Sequence, residues 1–143
     1  MGVLTDLVIA DIAQAQSVAA SNAPARDFGG LDAKGIDPVK LCQLKALLLA
    51  KPYDGSWVSD FRLVAGDKDE GPWVMIVPGD LVAAIAALPD SELHSTAINW
   101  HASEEFQADR WNAPDVETRL KEIHHLARKA SSAGKAVLMW MSL

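Results

Sequence analysis

The C-terminal third of the chain places a long amphipathic helix directly before an entirely apolar segment. Pro114-Asp115 is typical of a helix start, and apolar residues then recur every three or four positions until Gly134, which favours a helix end. Residues 136–141 follow as a continuous apolar run, typical of a strand buried on both faces. We therefore expect a helix that leads into a central strand of a sheet.

Three further strands are predicted. Residues 4–10 form a β-branched, apolar run, and this first strand and the last one are the most apolar of the chain. We expect both to lie centrally in the sheet, and adjacency is one arrangement that this allows. Residues 57–65 and 73–77 flank a turn-rich acidic loop, which predicts an antiparallel hairpin.

Helix boundaries are predicted from capping signals. Asp37-Pro38 supplies an N-cap and a first-turn proline, so we expect a helix from there to about Ala50. Other helical segments are expected at residues 11–20, 81–88, 91–95 and 103–111, whereas Gly, Asn and Pro within residues 21–35 predict a loop. The order of elements indicates a single α+β domain over residues 1–143, with a four-stranded mixed sheet and about five helices.

Composition narrows the class of protein. The 143 residues are half hydrophobic and 22% charged, with a formal net charge of -6, which is typical of a globular domain and excludes intrinsic disorder. The acidic balance argues against nucleic acid as a partner, since binding to phosphates needs clustered Lys and Arg. The longest apolar stretches are far shorter than the roughly 20 residues that span a bilayer, so we expect no membrane partner.

The cysteine count bears on localisation. Cys42 is the single cysteine, so no internal disulfide can form, and this usage suits a reducing compartment. The N-terminus also lacks the basic region of a secretory signal. We expect a cytoplasmic protein.

His94 and His101 are the histidines most suggestive of a site. They flank residues 95–100, which we expect to be irregular, and Glu105 lies where its carboxylate could approach His101. The alternative is that these residues form a charged pair at a helix end, which requires no catalytic role. By contrast, His124 and His125 lie on the amphipathic helix and face different ways, so they cannot chelate one ion together.

Known cofactor and metal motifs are not matched. Asp67 and Asp69 resemble the opening of a calcium loop, but Pro72 and Pro78 occupy the positions that need Gly and Glu. No glycine-rich phosphate loop surrounds Gly29-Gly30. We therefore expect no metal and no cofactor, and no catalytic residue is assigned.

Five tryptophans remain as candidates for packing or binding. Trp73 and Trp140 lie in predicted apolar strands and are expected in the core. Trp57, Trp100 and Trp111 lie near loops or element ends, where a partly exposed tryptophan can anchor a partner. These three are the tryptophans we select as binding candidates.

Several segments together resemble a known family. They are the Met-Gly start, Leu31-Asp32 followed by Ile36-Asp37-Pro38-x-Lys40, Val77-Pro78-x-Asp80-Leu81-Val82, and the C-terminal Ala133-Gly134-Lys135-Ala136-Val137-Leu138. In these the chain resembles the YfbM-like bacterial family, whose function is not established. The first long helix departs from that family, because Leu41-Cys42-Gln43-Leu44 replaces an aromatic cluster. The resemblance implies a single α+β domain and no residue roles.

Two functions follow as hypotheses. The first is a noncatalytic protein-interaction module that binds a protein partner or self-associates, based on the acidic surface and dispersed tryptophans. The alternative is a small-ligand-binding protein or enzyme with a pocket near His94, Trp100 and His101, with Glu105 beside it.

Overall fold

The computed structural model describes residues 3–143, so the Met-Gly start that contributes to the family resemblance lies outside the described residues. The strands are β1 (Leu4–Ala10), β2 (Gly30–Asp32), β3 (Leu63–Gly66), β4 (Trp73–Ile76) and β5 (Ala136–Ser142). The α-helices are α1 (Ala15–Ala20), α2 (Pro24–Asp27), α3 (Pro38–Leu49), α4 (Gly79–Ala87), α5 (Leu93–His101), α6 (Glu104–Ala108) and α7 (Ala113–Ala133). Short 3-10 helices occupy Ile12–Gln14, Gly55–Asp60 and Asp90–Glu92.

One antiparallel sheet, with the strand order β2-β1-β5-β4-β3, forms the centre of the fold. Its two most apolar strands come from opposite ends of the chain and pair along their whole length, from Leu4 opposite Ser142 to Ala10 opposite Ala136. The prediction that these strands are central is confirmed, and they are adjacent.

The α+β class is confirmed, but the expected four-stranded mixed sheet is wrong. Over residues 3–143 the sheet has five strands, and every neighbouring pair runs antiparallel. The additional strand, β2, lies in the segment predicted as a loop. A Cβ on Gly30 would lie 2.0 Å from the carbonyl oxygen of Leu7, so glycine permits this close pairing. Hydrophobicity reports burial and not strand direction, which explains the error in the predicted pairing.

The two faces of the sheet carry unequal layers. The longer helices cover one face, where Leu7 and Met139 belong to the same apolar core as Leu41, Leu81 and Ile123. On the other face the short helix α1 packs mainly on β3, β4 and β5. Its residues Ala15 and Val18 share a second core with Val8, Leu138 and Trp140. The sheet is therefore a middle layer, and the larger helical layer contains α5 and α7.

Capping residues produce the two best-predicted helices. The Asp37 side chain accepts the Lys40 N–H at 2.8 Å, Pro38 opens α3, and Ala50 ends it in the left-handed conformation. Helix α7 ends at Gly134, also left-handed. Its predicted apolar stripe is confirmed, because the following residues are buried: Val116, Leu120, Ile123, Ala127 and Ala130.

Two segments differ from expectation in type of structure. Residues 57–60 of the first predicted hairpin strand belong instead to a 3-10 helix over Gly55–Asp60, started by Asp54, whose carboxylate accepts the Ser56 N–H at 2.9 Å. Residues 95–100 are helical within α5 and not irregular. Its buried residues Leu93, Ala97 and Trp100 are spaced by four and three positions, a helical pattern too short to be decisive from the sequence.

Among residues 3–143, no helix is both long enough and apolar enough to cross a membrane.

Candidate functional site

Trp100 lies in the core and not at a partly exposed groove. Its side chain is fully buried, and Nε1 donates a hydrogen bond to the carbonyl oxygen of Lys40 at 2.8 Å. Phe106 packs edge-on against it, with ring centroids 4.8 Å apart. This differs from the sequence expectation because α5 continues through residue 100 and turns Trp100 towards α3.

The same cluster contains a buried lysine. Lys40 is 1% exposed, and its Nζ donates to the carbonyl oxygen of Gly35 at 2.7 Å and pairs with the Asp109 carboxylate. The ammonium also lies 5.5 Å from the ring centroid of Phe106 and 5.9 Å from that of Trp111. A buried charge is tolerated when it is paired and hydrogen-bonded in this way. The cluster therefore ties α3 to α6 and the turn after it.

Trp111 closes this cluster from outside and is partly buried. Its ring packs on Gly35, where a Cβ would lie 2.5 Å from Cζ2 of Trp111. The backbone oxygen of Trp111 is 2.7 Å from Nε2 of His101, so that ring nitrogen donates to it. His101 thus secures the α6–α7 connection, and the hydrogen bonds of the described residues do not join it to Glu105.

Trp57 belongs to a separate surface region. It is partly exposed in the 3-10 helix that packs on α3, and the Lys45 Nζ lies 4.9 Å from its ring centroid. Tyr53 approaches its ring edge-on at 6.4 Å. Of the six predicted residues, Trp100, His101 and Trp111 lie around one cluster. Trp57, His94 and Glu105 do not complete a common pocket with them.

His94 contributes to a different surface, which we call the α5–α7 groove. The groove has a volume of about 330 Å³. It is lined by His94, Ala97, Ile98, Ala113, Pro114, Glu117, Thr118 and Lys121. Ala97 is buried, whereas Ile98 and Pro114 are exposed to solvent, so the groove combines apolar side chains with the charged side chains of Glu117 and Lys121.

A chain of three polar side chains crosses this groove. Nδ1 of His94 lies 2.5 Å from Oε1 of Glu117, and Oε2 of Glu117 lies 3.0 Å from Nζ of Lys121. The hydrogen bond from Lys121, and next the one from His94, hold the pKa of the Glu117 carboxyl below its usual range. Because an ionised carboxylate can only accept a hydrogen bond, Nδ1 of His94 carries the proton between them. In the neutral ring Nε2 is therefore an acceptor, and it becomes a donor when the ring is protonated.

A second depression, of about 300 Å³, lies on the other side of Thr118. Its polar lining includes Arg110, Asn112, Asp115, Arg119 and Glu122. Arg119 donates through Nη1 to the Asp32 carbonyl oxygen and lies 3.3 Å from Glu122. This side is therefore largely occupied by internal pairing.

Ile98, Glu117 and Lys121 are not among the residues predicted from the sequence. The spacing of Glu117 and Lys121 by four helical positions is a signal for their pairing. In contrast, the contact between His94 and Glu117 joins residues 23 positions apart and depends on how α5 packs on α7. No local pattern reports that contact.

The described side chains offer neither a grouped set of metal ligands nor a thiol that ionises near neutral pH. Within the part of the chain that the structure describes, no three His, Cys, Asp or Glu residues are grouped to hold a metal ion. Burial raises the pKa of the Cys42 thiol to about 11, so it stays protonated near neutral pH.

No protein-family model matches the chain, and no curated protein or solved structure is significantly similar to it. The resemblance to the YfbM-like family stays a prediction, and the groove has to be interpreted from its own geometry.

Proposed function

We propose that this protein is a noncatalytic protein-interaction module and that the α5–α7 groove is its binding surface. One observation carries the proposal: Ile98 is 50% exposed in a groove that is also lined by charged side chains. An apolar centre with a polar rim is the usual anatomy of a protein interface. The single buried cysteine suits a reducing compartment, so we include a cytoplasmic location in the proposal.

The shape of the groove supports a protein partner over a small molecule. Small-molecule sites usually enclose about 70–90% of the ligand surface. Here His94, Ile98, Pro114 and Lys121 are all exposed, so a small ligand would keep much of its surface in water. A partner chain covers such an open surface more completely, because its contacts extend beyond the rim.

The experiment compares two matched isoleucines. Ile98→Glu places a charge among the apolar lining residues of the groove, whereas Ile12→Glu makes the same change at a 49% exposed isoleucine in the 3-10 helix before α1. We expect wild type and Ile12→Glu to capture the same proteins from a native lysate or to self-associate equally in sedimentation experiments. Ile98→Glu should lose these interactions while it keeps the wild-type circular dichroism spectrum. Equal behaviour of both variants would contradict the proposal.

A second candidate function uses the same groove as a small-ligand site. It is favoured by the contact between His94 and Glu117, which resembles the way a carboxylate orients a general base. Thermal-shift screening with metabolites distinguishes the two, because a ligand that binds the native state raises the melting temperature. Stabilisation of wild type that Glu117→Gln abolishes would favour this candidate over a protein partner.

A further inference from the structure

The charged side chains of the α5–α7 groove differ in how far they reach into solvent. Side-chain exposure is 73% for His94 and 57% for Lys121, but only 24% for Glu117 between them. The two basic groups therefore stand outermost, and the carboxylate that they share lies deeper. A partner approaching the groove meets the imidazole and the ammonium first.

The charge of this arrangement changes with the protonation of His94. With a neutral imidazole the charge of Lys121 balances that of Glu117, and protonation of the imidazole adds one positive charge. From α7 the charged groups that face His94 are Glu117 and Lys121. The 3-10 helix before α5 carries the acidic residues Asp90 and Glu92, of which Asp90 is hydrogen-bonded to Arg128. Helices α3 and α6 meet α5 around Trp100, near its opposite end.

We propose that the α5–α7 groove binds a partner segment in which an Asp or Glu carboxylate stands next to an aliphatic side chain, and that binding is coupled to protonation of His94. This inference rests on the proposed function and specifies its partner. The aliphatic side chain packs on Ile98 and Pro114. The carboxylate accepts a hydrogen bond from Nε2 of His94 and is attracted by the Lys121 ammonium nearby, while Glu117 holds the opposite side of the imidazole in place.

The pH dependence follows from linkage. A bound carboxylate favours the imidazolium over the neutral ring, so binding is accompanied by proton uptake wherever the imidazole is neutral in the free protein. Affinity is therefore expected to rise as the pH falls through the range in which the ring takes up its proton, by at most about tenfold per pH unit for one proton.

Two synthetic peptides test the inference. The probe is acetyl-Leu-Asp-Leu-Asp-Leu-amide, and its matched control replaces both Asp residues with Asn. Binding to the full chain is measured by NMR titration of the Ile98 methyl and His94 ring signals at about pH 7.5 and 5.5, on either side of the usual His pKa. We expect the acidic peptide to bind about three- to tenfold more tightly at the lower pH and to shift the His94 ring signals. The Asn peptide should bind more weakly and without this pH dependence.

Variants separate the contributions. His94→Gln keeps a hydrogen-bond donor for Glu117 but cannot gain a charge, so it should abolish the pH dependence. Lys121→Met should weaken binding of the acidic peptide at both pH values. Equal binding of the two peptides, pH-independent binding of the acidic one, or no binding of either would overturn the inference. The Ile98 and Ile12 comparison is read independently, so interactions lost only in Ile98→Glu, together with a failed peptide test, would show that the groove binds a partner but that the proposed partner chemistry is wrong.

Discussion

At the scale of single residues, the buried cluster around Lys40 explains why Trp100 packs inside the protein and why Trp111 is partly buried. The backbone oxygen of Lys40 holds Trp100, and its ammonium lies near both Phe106 and Trp111. A tryptophan near an element end has the same local sequence signal whether it faces a partner or the core. Only the position of Lys40, 60 positions away from Trp100, decides between them.

Gly35 provides a residue-scale prediction about this cluster. We expect Gly35→Ala to lower the free energy of unfolding by about 2–5 kcal/mol, because it combines left-handed strain with a clash against Trp111. Gly29→Ala is the matched control: Gly29 is also left-handed, but among residues 3–143, apart from its chain neighbours, no atom lies within 4 Å of its added Cβ. The control should lose only about 1–2 kcal/mol. Urea unfolding measures both, and equal losses would show that Trp111 is not packed on Gly35.

At the scale of secondary-structure elements, an element could be predicted from the sequence when the residues that specify it lie close together in the chain. Helix α3 has its capping residues within one turn, and α7 repeats its apolar pattern over 21 residues. Strand β2 has three residues and no apolar periodicity of its own, because its position comes from pairing with β1. Sequence patterns could therefore predict α3 and α7 but not β2.

The contact between α5 and α7 yields an element-scale prediction of pH dependence. The folded-state pKa of Glu117 lies below its usual value, so its pairing stabilises the fold above the usual carboxyl range, and this contribution is lost as the pH falls through the folded-state pKa. We expect Glu117→Gln to lower the free energy of unfolding at about pH 6 and to differ less from wild type at about pH 3.5. Urea unfolding at both pH values measures the difference. Glu70→Gln, at an exposed loop position, is the control. A deficit that does not shrink on acidification would contradict the prediction.

At the scale of the whole molecule, pairing of β1 with β5 joins the two ends of the chain. Both helical layers share this sheet, and its centre depends on contacts between the first and last elements. The single domain predicted from the sequence should consequently unfold cooperatively.

Cys42 offers a probe for that prediction. Its thiol is buried within α3, and its pKa is raised to about 11 by burial. We expect thiol labelling in urea to follow the same transition as tryptophan fluorescence and circular dichroism. The fully unfolded chain gives the reference labelling rate. Labelling that clearly precedes loss of circular dichroism would instead indicate that the layer containing α3 opens separately.

The sequence by itself determined the α+β class, the strongest helices and the central position of the two terminal strands. Caps and periodic apolar patterns act within a few residues, so they can be recognised without a structure. The tertiary structure decided the fifth strand, the antiparallel pairing, the burial of Trp100 and the meeting of His94 with Glu117. Each of these depends on contacts between distant parts of the chain, and local chemistry does not specify which distant partner will be present.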